Sequence, residues 1–270
     1  MIIWLASYPR SGNTWIRALL SNYLYSKESD TLKNLESIDL FPSGKYFSGL
    51  IDKKKINENK KDIFKNYILA QEKINLNKKT NIIKTHCFAG KVEGSEFSNS
   101  ENTAGFIYII RDPRSVAVSN SYHEEISISK SVDQILNPKR FSNVQELYME
   151  FRSSWQNHYL SWKNKNWEGL FIKYEDLHND TFNNLKKILV FIKKYIEIEI
   201  DENKIKEVIN ISSFNNLSKI EQTLGFKENP SKERFFRKGL VDEWKKSLSK
   251  DLIIKIEENF KKEMKELNYL

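Results

Sequence analysis

The chain opens with a short apolar run, a polar turn and a helical pattern, and this order limits the folds it can adopt. Residues 1–6 lack polar alternation, as is typical of a strand buried on both faces of a parallel sheet. The polar stretch 7–14 follows, and apolar residues then recur at helical spacing over residues 15–25. Strand, turn and helix in this order predict the start of a β-α-β unit.

Three later apolar runs extend this arrangement, at residues 82–83, 105–110 and 170–174. The second run ends near Asp112 and Pro113, which suit the N-cap and the first position of a helix. Strands that alternate with helices predict an α/β fold of three layers, with helices flanking a mainly parallel central sheet.

No repeat or clean boundary divides the chain, so we expect one domain over residues 1–270 with insertions near 26–79 and 126–145. A helix is predicted to begin at Asp180-Thr181. The last helix, over residues 250–267, carries an apolar stripe that we expect to pack against the domain. A surface for a partner is the alternative interpretation of that stripe.

The charge and the cysteine content narrow the classes of partner and compartment. Lysine and arginine number 44 against 36 acidic residues, for a net charge of +8. This excess favours anionic partners such as a nucleotide, nucleic acid or lipid headgroup, although an evenly solvated basic surface would give the same total. One cysteine excludes an internal disulfide framework and suits a reducing compartment. With no signal-peptide pattern and no apolar run of membrane-spanning length, we expect a cytoplasmic protein.

The polar loop between the first strand and helix has the features of a phosphate site. Backbone N–H groups at a helix start lack helical partners, and together with the helix dipole they favour an anion. Gly12 lets the backbone approach a ligand closely, Arg10 adds charge, and Ser11, Asn13 and Thr14 add donors or a cap. A capped turn with an incidental arginine is the alternative.

The loop departs from the pattern of ATPases and GTPases. That pattern, G-x-x-x-x-G-K-[ST], requires an earlier glycine and a Lys-Ser or Lys-Thr pair after the second glycine. Here Ala6 or Ser7 stands at the first position, and Asn13-Thr14 follows Gly12. The loop therefore indicates a phosphate cradle without the usual triphosphate lysine.

Four segments in sequence order resemble the cytosolic-type sulfotransferases. They read S-Y-P-R-S-G-N-T-W at 7–15, K-T-H at 84–86, Y-I-I-R-D-P-R-S-V-A-V-S at 108–119, and F-F-R-K-G at 235–239 with W-K at 244–245. The resemblance implies a P-loop-like fold and transfer of a sulfuryl group from 3′-phosphoadenosine 5′-phosphosulfate (PAPS) to an acceptor hydroxyl or, less readily, an amine.

The resemblance also implies roles for individual residues. It places Arg10, Ser11, Gly12, Asn13 and Thr14 at the 5′-phosphosulfate; Arg111, Ser119, Arg237, Lys238 and Gly239 at the 3′-phosphate; Trp15, Tyr174 and Phe214 around the adenine; and Ser212 and Ser213 elsewhere on the donor. It implies His86 as general base, with Lys84 and Arg10 stabilising the developing charge.

The chemistry and the positions of His86 and Lys84 agree with these roles. A histidine pKa near 6.5 suits removal of a hydroxyl proton at neutral pH, and His86 follows a predicted strand toward the same sheet edge as the loop. Lys84, two residues earlier, would share a face with His86. We expect no metal, because no cluster of His, Cys or Asp residues has ligand spacing.

Five positions depart from the family pattern. Arginine stands at position 10 where relatives commonly have lysine, and Asp242 replaces the second glycine of R-K-G-x-x-G-x-W-K. Asp242 could weaken the 3′-phosphate site. Ser249-Lys250 and Ile254 replace residues of a dimer contact found in relatives, so the sequence leaves the oligomeric state open.

Two other function classes and the acceptor remain open at this stage. A nucleotide or small-molecule kinase would use the same loop but prefer ATP with Mg²⁺. A nucleic-acid-binding module would account for the charge but not for the loop or the Arg111 segment, and we expect no nucleic-acid partner. The acceptor could carry a phenol, aliphatic, lipid or sugar hydroxyl. Phe41, Tyr46 and Phe47 could form an aromatic wall for it or pack in the core.

Overall fold

The structure is a computed structural model that describes residues 1–26, 31–51, 60–144, 148–226, 228–229 and 234–270. Its strands are β1 (Ile2–Ser7), β2 (Leu40–Phe41), β3 (Asn81–Thr85), β4 (Lys91–Val92), β5 (Ser95–Glu96), β6 (Thr103–Ile110), β7 (Phe141–Val144), β8 (Tyr148–Phe151) and β9 (Gly169–Lys173). Its α-helices are α1 (Asn13–Tyr25), α2 (Gly44–Phe47), α3 (Tyr67–Asn75), α4 (Pro113–His123), α5 (Ile128–Leu136), α6 (Trp155–Lys163), α7 (Tyr174–Asn179), α8 (Thr181–Lys193), α9 (Glu202–Ile211), α10 (Phe214–Leu224), α11 (Trp244–Ser247) and α12 (Lys250–Glu266). Short 3₁₀ helices span Lys33–Ser37 and Lys60–Asn66.

Five parallel strands form the central sheet in the order β2-β3-β1-β6-β9. This arrangement confirms the predicted α/β class. Strand β1 lies in the middle, so Trp4 pairs with Ile83 on one side and Phe106 on the other. The predicted fourth strand ends one residue early, because Tyr174 begins a helix instead of ending the strand.

Helices cover both faces of this sheet, which gives the three predicted layers. The alternate side chains Ile2, Trp4 and Ala6 of β1 pack with helices α3 to α6 and α12. Ile3 and Leu5 point to the opposite face and pack with helices α1, α7, α8 and α9. A parallel strand buried on both sides requires this continuous apolar sequence.

Helices and strands occupy parts of the two predicted insertions, near residues 26–79 and 126–145. Strand β2 within residues 26–79 joins the edge of the central sheet, and residues 126–145 contain α5 and β7. Ser127 caps α5 by accepting a hydrogen bond from the Lys130 N–H. Residues 27–30, 52–59 and 145 of these two predicted insertions lie outside the described residues.

The aromatic residues of the first of these stretches belong mainly to the core. Phe41 and Phe47 are each 1% exposed and pack against one another and Tyr67. The Tyr46 hydroxyl donates to Asp39 at 2.6 Å. Core packing, one of the two interpretations above, is therefore correct for Phe41 and Phe47.

Helix termini follow the predicted local chemistry. Asp112 accepts from the Arg114 N–H with Pro113 at the first helical position, and Asp180 accepts from the Asn183 N–H. Helix α12 buries its apolar stripe against the domain, where Phe260 packs on Trp155. No helix in the described part of the chain is long and apolar enough to cross a membrane.

Candidate active site

A cavity of about 1460 Å³ opens where β1, β3 and β6 end at their carboxyl edges. In open α/β sheets this edge is the usual position for a ligand. All predicted site residues except Ser11 and Ser212 line it, namely Arg10, Gly12, Asn13, Thr14, Trp15, Lys84, His86, Arg111, Ser119, Tyr174, Ser213, Phe214, Arg237, Lys238 and Gly239.

The loop after β1 forms a tight entry into helix α1. Gly12 has φ of 99°, and a Cβ there would lie 2.5 Å from Cδ2 of Tyr174. Only glycine fits this position without strain. The N–H groups of Asn13 and Thr14 lie in the first helical turn, where the helix supplies no carbonyl partner. Ser11 is fully buried, and its hydroxyl has no hydrogen-bond partner among the described residues.

Two arginines meet beside this loop. Arg10 donates from Nε to the Ser119 hydroxyl at 3.2 Å and lies 4.4 Å above the Phe235 ring. Arg111 donates to the Arg10 carbonyl at 3.0 Å, while its guanidinium stacks 4.2 Å over Tyr174. Burial, and then the charges of Arg111 and Arg237, lower the pKa of Arg10 to about 10. Crowded, buried cations of this kind favour an anionic ligand.

The C-terminal motif supplies two more cations to the same cavity. Glu243 holds them both, accepting from the Arg237 guanidinium and from Lys238 Nζ at 2.8 Å. Gly239 has φ of 64°, and a Cβ there would lie 2.5 Å from the Phe214 ring. Asp242 instead pairs with Lys245 at 2.9 Å, and its side chain is 61% exposed. The carboxylate that contacts the cations is thus that of Glu243, one residue beyond the position noted in the sequence.

Aromatic side chains surround the part of the cavity next to the loop. Trp15 packs edge-on to Tyr174 and donates from its indole to the Ser212 carbonyl at 3.1 Å. The Tyr174 hydroxyl donates to the Gly239 carbonyl at 3.3 Å. Ser213 is the N-cap residue of α10, whereas Ser212 is buried away from the cavity. These contacts place aromatic side chains beside the phosphate loop, where they could pack against a planar ring.

His86 lies at the end of β3 with its tautomer fixed by the backbone. Its Nδ1 is 2.8 Å from the Ser7 carbonyl oxygen, which can only accept, so Nδ1 carries the proton. The lone pair of Nε2 therefore remains available. Burial, and then the charges of Lys84 and Arg152, hold the pKa of His86 well below its usual value. His158 supports this segment by donating from Nε2 to the His86 carbonyl at 3.0 Å.

Lys84 lines the same cavity and takes part in a charged cluster. Its Nζ is 3.5 Å from Glu228, which also forms an ion pair with Arg17. Burial, and then the Arg17 charge, lower the pKa of Lys84 to about 8. Arg17 is 1% exposed on helix α1.

Sequence patterns gave no indication of Arg17, Glu228 or Glu243. Glu243 occupies a variable position of the C-terminal motif, Glu228 lies outside every recognised motif, and Arg17 meets Glu228 only through the tertiary fold. Arg17 could have drawn notice because it is the one charged residue in the helix next to the loop.

Comparison with known proteins places this site in a family. A family model described as a sulfotransferase domain matches residues 2–268. Sulfotransferase 1E1 of Mus musculus is 28% identical over 272 residues, which cover 97% of this chain and 83% of that protein. Luciferin sulfotransferase of Photinus pyralis is 26% identical over 276 residues, which cover 96% of this chain and 70% of that protein.

Solved structures share the fold. Mouse sulfotransferase SULT7A1 complexed with PAP is 19% identical with a TM-score of 0.62, covering 98% of this chain and 84% of that chain. Retinol dehydratase in a complex with retinol and PAP is 17% identical with a TM-score of 0.66, and the match covers 98% of this chain and 81% of that chain. The family match confirms the resemblance seen in the sequence: this chain belongs to the sulfotransferase domain family.

Proposed function

We propose that this sulfotransferase moves a sulfuryl group from PAPS to a hydroxyl of a small molecule, with His86 as the general base. The observation that carries the proposal is the bond from His86 Nδ1 to the Ser7 carbonyl. It leaves a neutral imidazole with a free lone pair in the cavity that also holds the phosphate loop and the arginines.

The site has the chemistry needed to hold the donor. The Ser11 hydroxyl and Nε of Arg111 are buried without a hydrogen-bond partner among the described residues. A side chain at Gly12 or Gly239 would press on an aromatic ring that lines the cavity, so both glycines keep the cradle open. Arg10 and the loop N–H groups would bind the 5′-phosphosulfate. The 3′-phosphate would be bound by Arg111, Ser119, Arg237 and Lys238.

Each catalytic side chain has a separate task. PAPS supplies the sulfuryl group and leaves as adenosine 3′,5′-bisphosphate (PAP). Nε2 of His86 takes the proton of the acceptor hydroxyl, whose oxygen then forms the new bond to sulfur. Lys84 and Arg10 stabilise negative charge on the sulfuryl and leaving oxygens, so catalysis consists of positioning and electrostatics. No metal is needed in this scheme, and a cytoplasmic location would supply the nucleotide.

The proposal is tested by separating donor binding from turnover. His86→Ala should lower kcat about 10²- to 10⁴-fold, because the base is lost, while calorimetric affinity for PAP stays within about twofold. Lys139→Gln, an exposed change away from the cavity, is the control. Turnover of His86→Ala near that of the control would exclude His86 as base. Tighter binding of ATP with Mg²⁺ than of PAP would favour the kinase alternative.

A further inference from the structure

Charged and polar residues form the cavity wall beside His86. The wall comprises His123 and Glu124 at the end of α4, and Ser142, Glu150 and Arg152 in or just after the β7–β8 hairpin. The Phe88 N–H donates to the Phe151 carbonyl at 2.8 Å, which joins the hairpin to the segment following His86. The hairpin is thus next to the segment that carries the base, and it lines the same cavity.

Arg152 offers donors beside a carboxylate. Its Nε donates to the buried carboxylate of Glu150, which partly compensates the guanidinium charge. Neither Nη atom has a hydrogen-bond partner among the described residues, and the side chain is 15% exposed toward the cavity. Two parallel N–H donors of this kind can bind neighbouring oxygen atoms of one ligand.

Glu124 offers a hydrogen-bond acceptor, and its negative charge is partly compensated by an ion pair with Arg140. Arg140 donates from Nη2 to Oε1 of Glu124 at 2.5 Å and from Nη1 to the Tyr8 hydroxyl at 3.1 Å. In the described part of the chain Oε2 of Glu124 has no hydrogen bond. Next to it, burial and the charge of Arg10 lower the pKa of His123 to about 4. His123 is therefore neutral and has one donor and one acceptor nitrogen.

Arg152, Glu124 and His123 line the same cavity as the base His86. The positive charge of Arg152 contributes to the lowered pKa of both His86 and His123. An apolar acceptor would cover the Nη donors and the Oε2 acceptor without bonding to them, which is costly for buried polar groups. An anionic acceptor would bring its charge close to the carboxylates of Glu124 and Glu150, which line the same cavity and oppose it.

We propose that the acceptor is a neutral, hydroxyl-rich molecule, a sugar or polyol, whose neighbouring hydroxyls bind Arg152 and Glu124 while the reacting hydroxyl meets His86. This inference rests on the proposed function, since it assigns the second substrate of the same site. A hydroxyl-rich ligand supplies both donors and acceptors, and it satisfies all of the open positions on this wall.

The test compares acceptors by the rate of PAP formation from PAPS. The panel contains neutral polyols (methyl glucoside, N-acetylglucosamine, cellobiose and inositol), the apolar phenol 2-naphthol, and glucuronic acid as a charged sugar. We expect the best neutral polyol to exceed both 2-naphthol and glucuronic acid by at least about tenfold in kcat/KM. Preference for either of those two, or no transfer to any polyol by a protein that binds PAP, would overturn the inference.

Variants then test the assigned residues. Arg152→Leu and Glu124→Gln should each lower kcat/KM for the best polyol about 10- to 100-fold, because a substrate hydroxyl loses its partner. Glu124→Gln should not lower the rate with 2-naphthol, and Lys139→Gln should change nothing. Arg152→Leu also removes a charge that acts on His86, so its loss with the polyol is compared with its loss with 2-naphthol and should be the larger of the two. Equal losses with both acceptors in a folded Glu124→Gln variant would contradict the assignment. PAP titration reports separately on the donor site of the proposed function, so a failure of the acceptor assignment and a failure of the donor assignment can be distinguished.

Discussion

Arg10 combines an unusual backbone conformation with an unusual residue type for its position. Its φ of 68° lies in the left-handed region, which costs a residue other than glycine about 1–3 kcal/mol. This conformation accompanies the bond from Arg111 to the Arg10 carbonyl and the bond from Arg10 Nε to Ser119. The arginine fork thus contacts a residue assigned to the 3′-phosphate, which the point charge of a lysine would not do in the same way. Its role in charge stabilisation stays a prediction.

The pH dependence of kcat/KM should report on Lys84. Its pKa of about 8 means that the cation is present below that pH and is lost as the pH rises through it. The low pKa of His86 keeps the base neutral, so no loss is expected as the pH falls toward 6.5. A pH profile of kcat/KM should therefore show a decline on the alkaline side with a midpoint near 8.

Lys84→Arg is the control for that profile, because arginine keeps its charge throughout the range. Its alkaline decline should move well above pH 8, whatever the absolute rate. A decline that stays near pH 8 in this variant would assign the titration to another group.

At the scale of elements, the start of helix α4 joins a cap to a buried ion pair. Asp112 caps the helix through the Arg114 N–H, and the same carboxylate pairs with the Arg114 guanidinium at 2.6 Å. Arg114 reaches on to Glu257 at 2.5 Å and to the Tyr269 carbonyl at 2.8 Å. Asp112 is thereby connected, through Arg114, to the C-terminal helix α12.

Asp112→Ala should lower the free energy of unfolding by about 3 kcal/mol, because it leaves a buried arginine with one fewer carboxylate. Asp201→Ala is the matched control, since Asp201 caps α9 at the surface without a buried partner. It should cost only about 1 kcal/mol. Urea denaturation of both variants checks the difference, and equal losses would show that the ion pair adds nothing to the cap.

Elements were predictable where their signals are local. Buried strands show as unbroken apolar runs, and the caps at Asp112 and Asp180 show as residue types at helix starts. Helix α5 was missed although Ile128, Val132 and Ile135 have helical spacing, because three apolar positions in a segment of nine residues give only a short pattern. The Arg17–Glu228 pair could not be predicted, since its partners are 211 residues apart in the sequence.

At the scale of the whole molecule, the site is assembled from loops that extend from Arg10 to Gly239. Recognition of the motifs predicted residues that nearly all line one cavity, because each motif is short and ordered along the chain. The individual residues of the polar wall beside His86 were not predicted, because they lie outside the recognised motifs. Charge compensation by Glu150 and Arg140 also becomes visible only in three dimensions.

Ligand binding across these loops should stabilise the fold as a whole. PAP at 100 times its Kd should add about 2.7 kcal/mol to the free energy of unfolding. For a chain of this size the midpoint temperature Tm should rise by roughly 5–10 °C, measured by thermal scanning. Arg111→Ala should remove most of that shift at the same PAP concentration. AMP, which lacks the 3′-phosphate, serves as the ligand control, and an equal shift with AMP would contradict a 3′-phosphate site.

The central position of β1 also determines when the site can exist during synthesis. Its two neighbours, β3 and β6, are reached only much later in the chain, so the first strand emerges from the ribosome long before either partner. Until then the five apolar residues of β1, Ile2 to Ala6, remain available to chaperones or to other nascent chains. Pairings so distant in sequence also slow folding. The phosphate loop, although it precedes β3 and β6 in the chain, can take its final shape only after both strands have been synthesised.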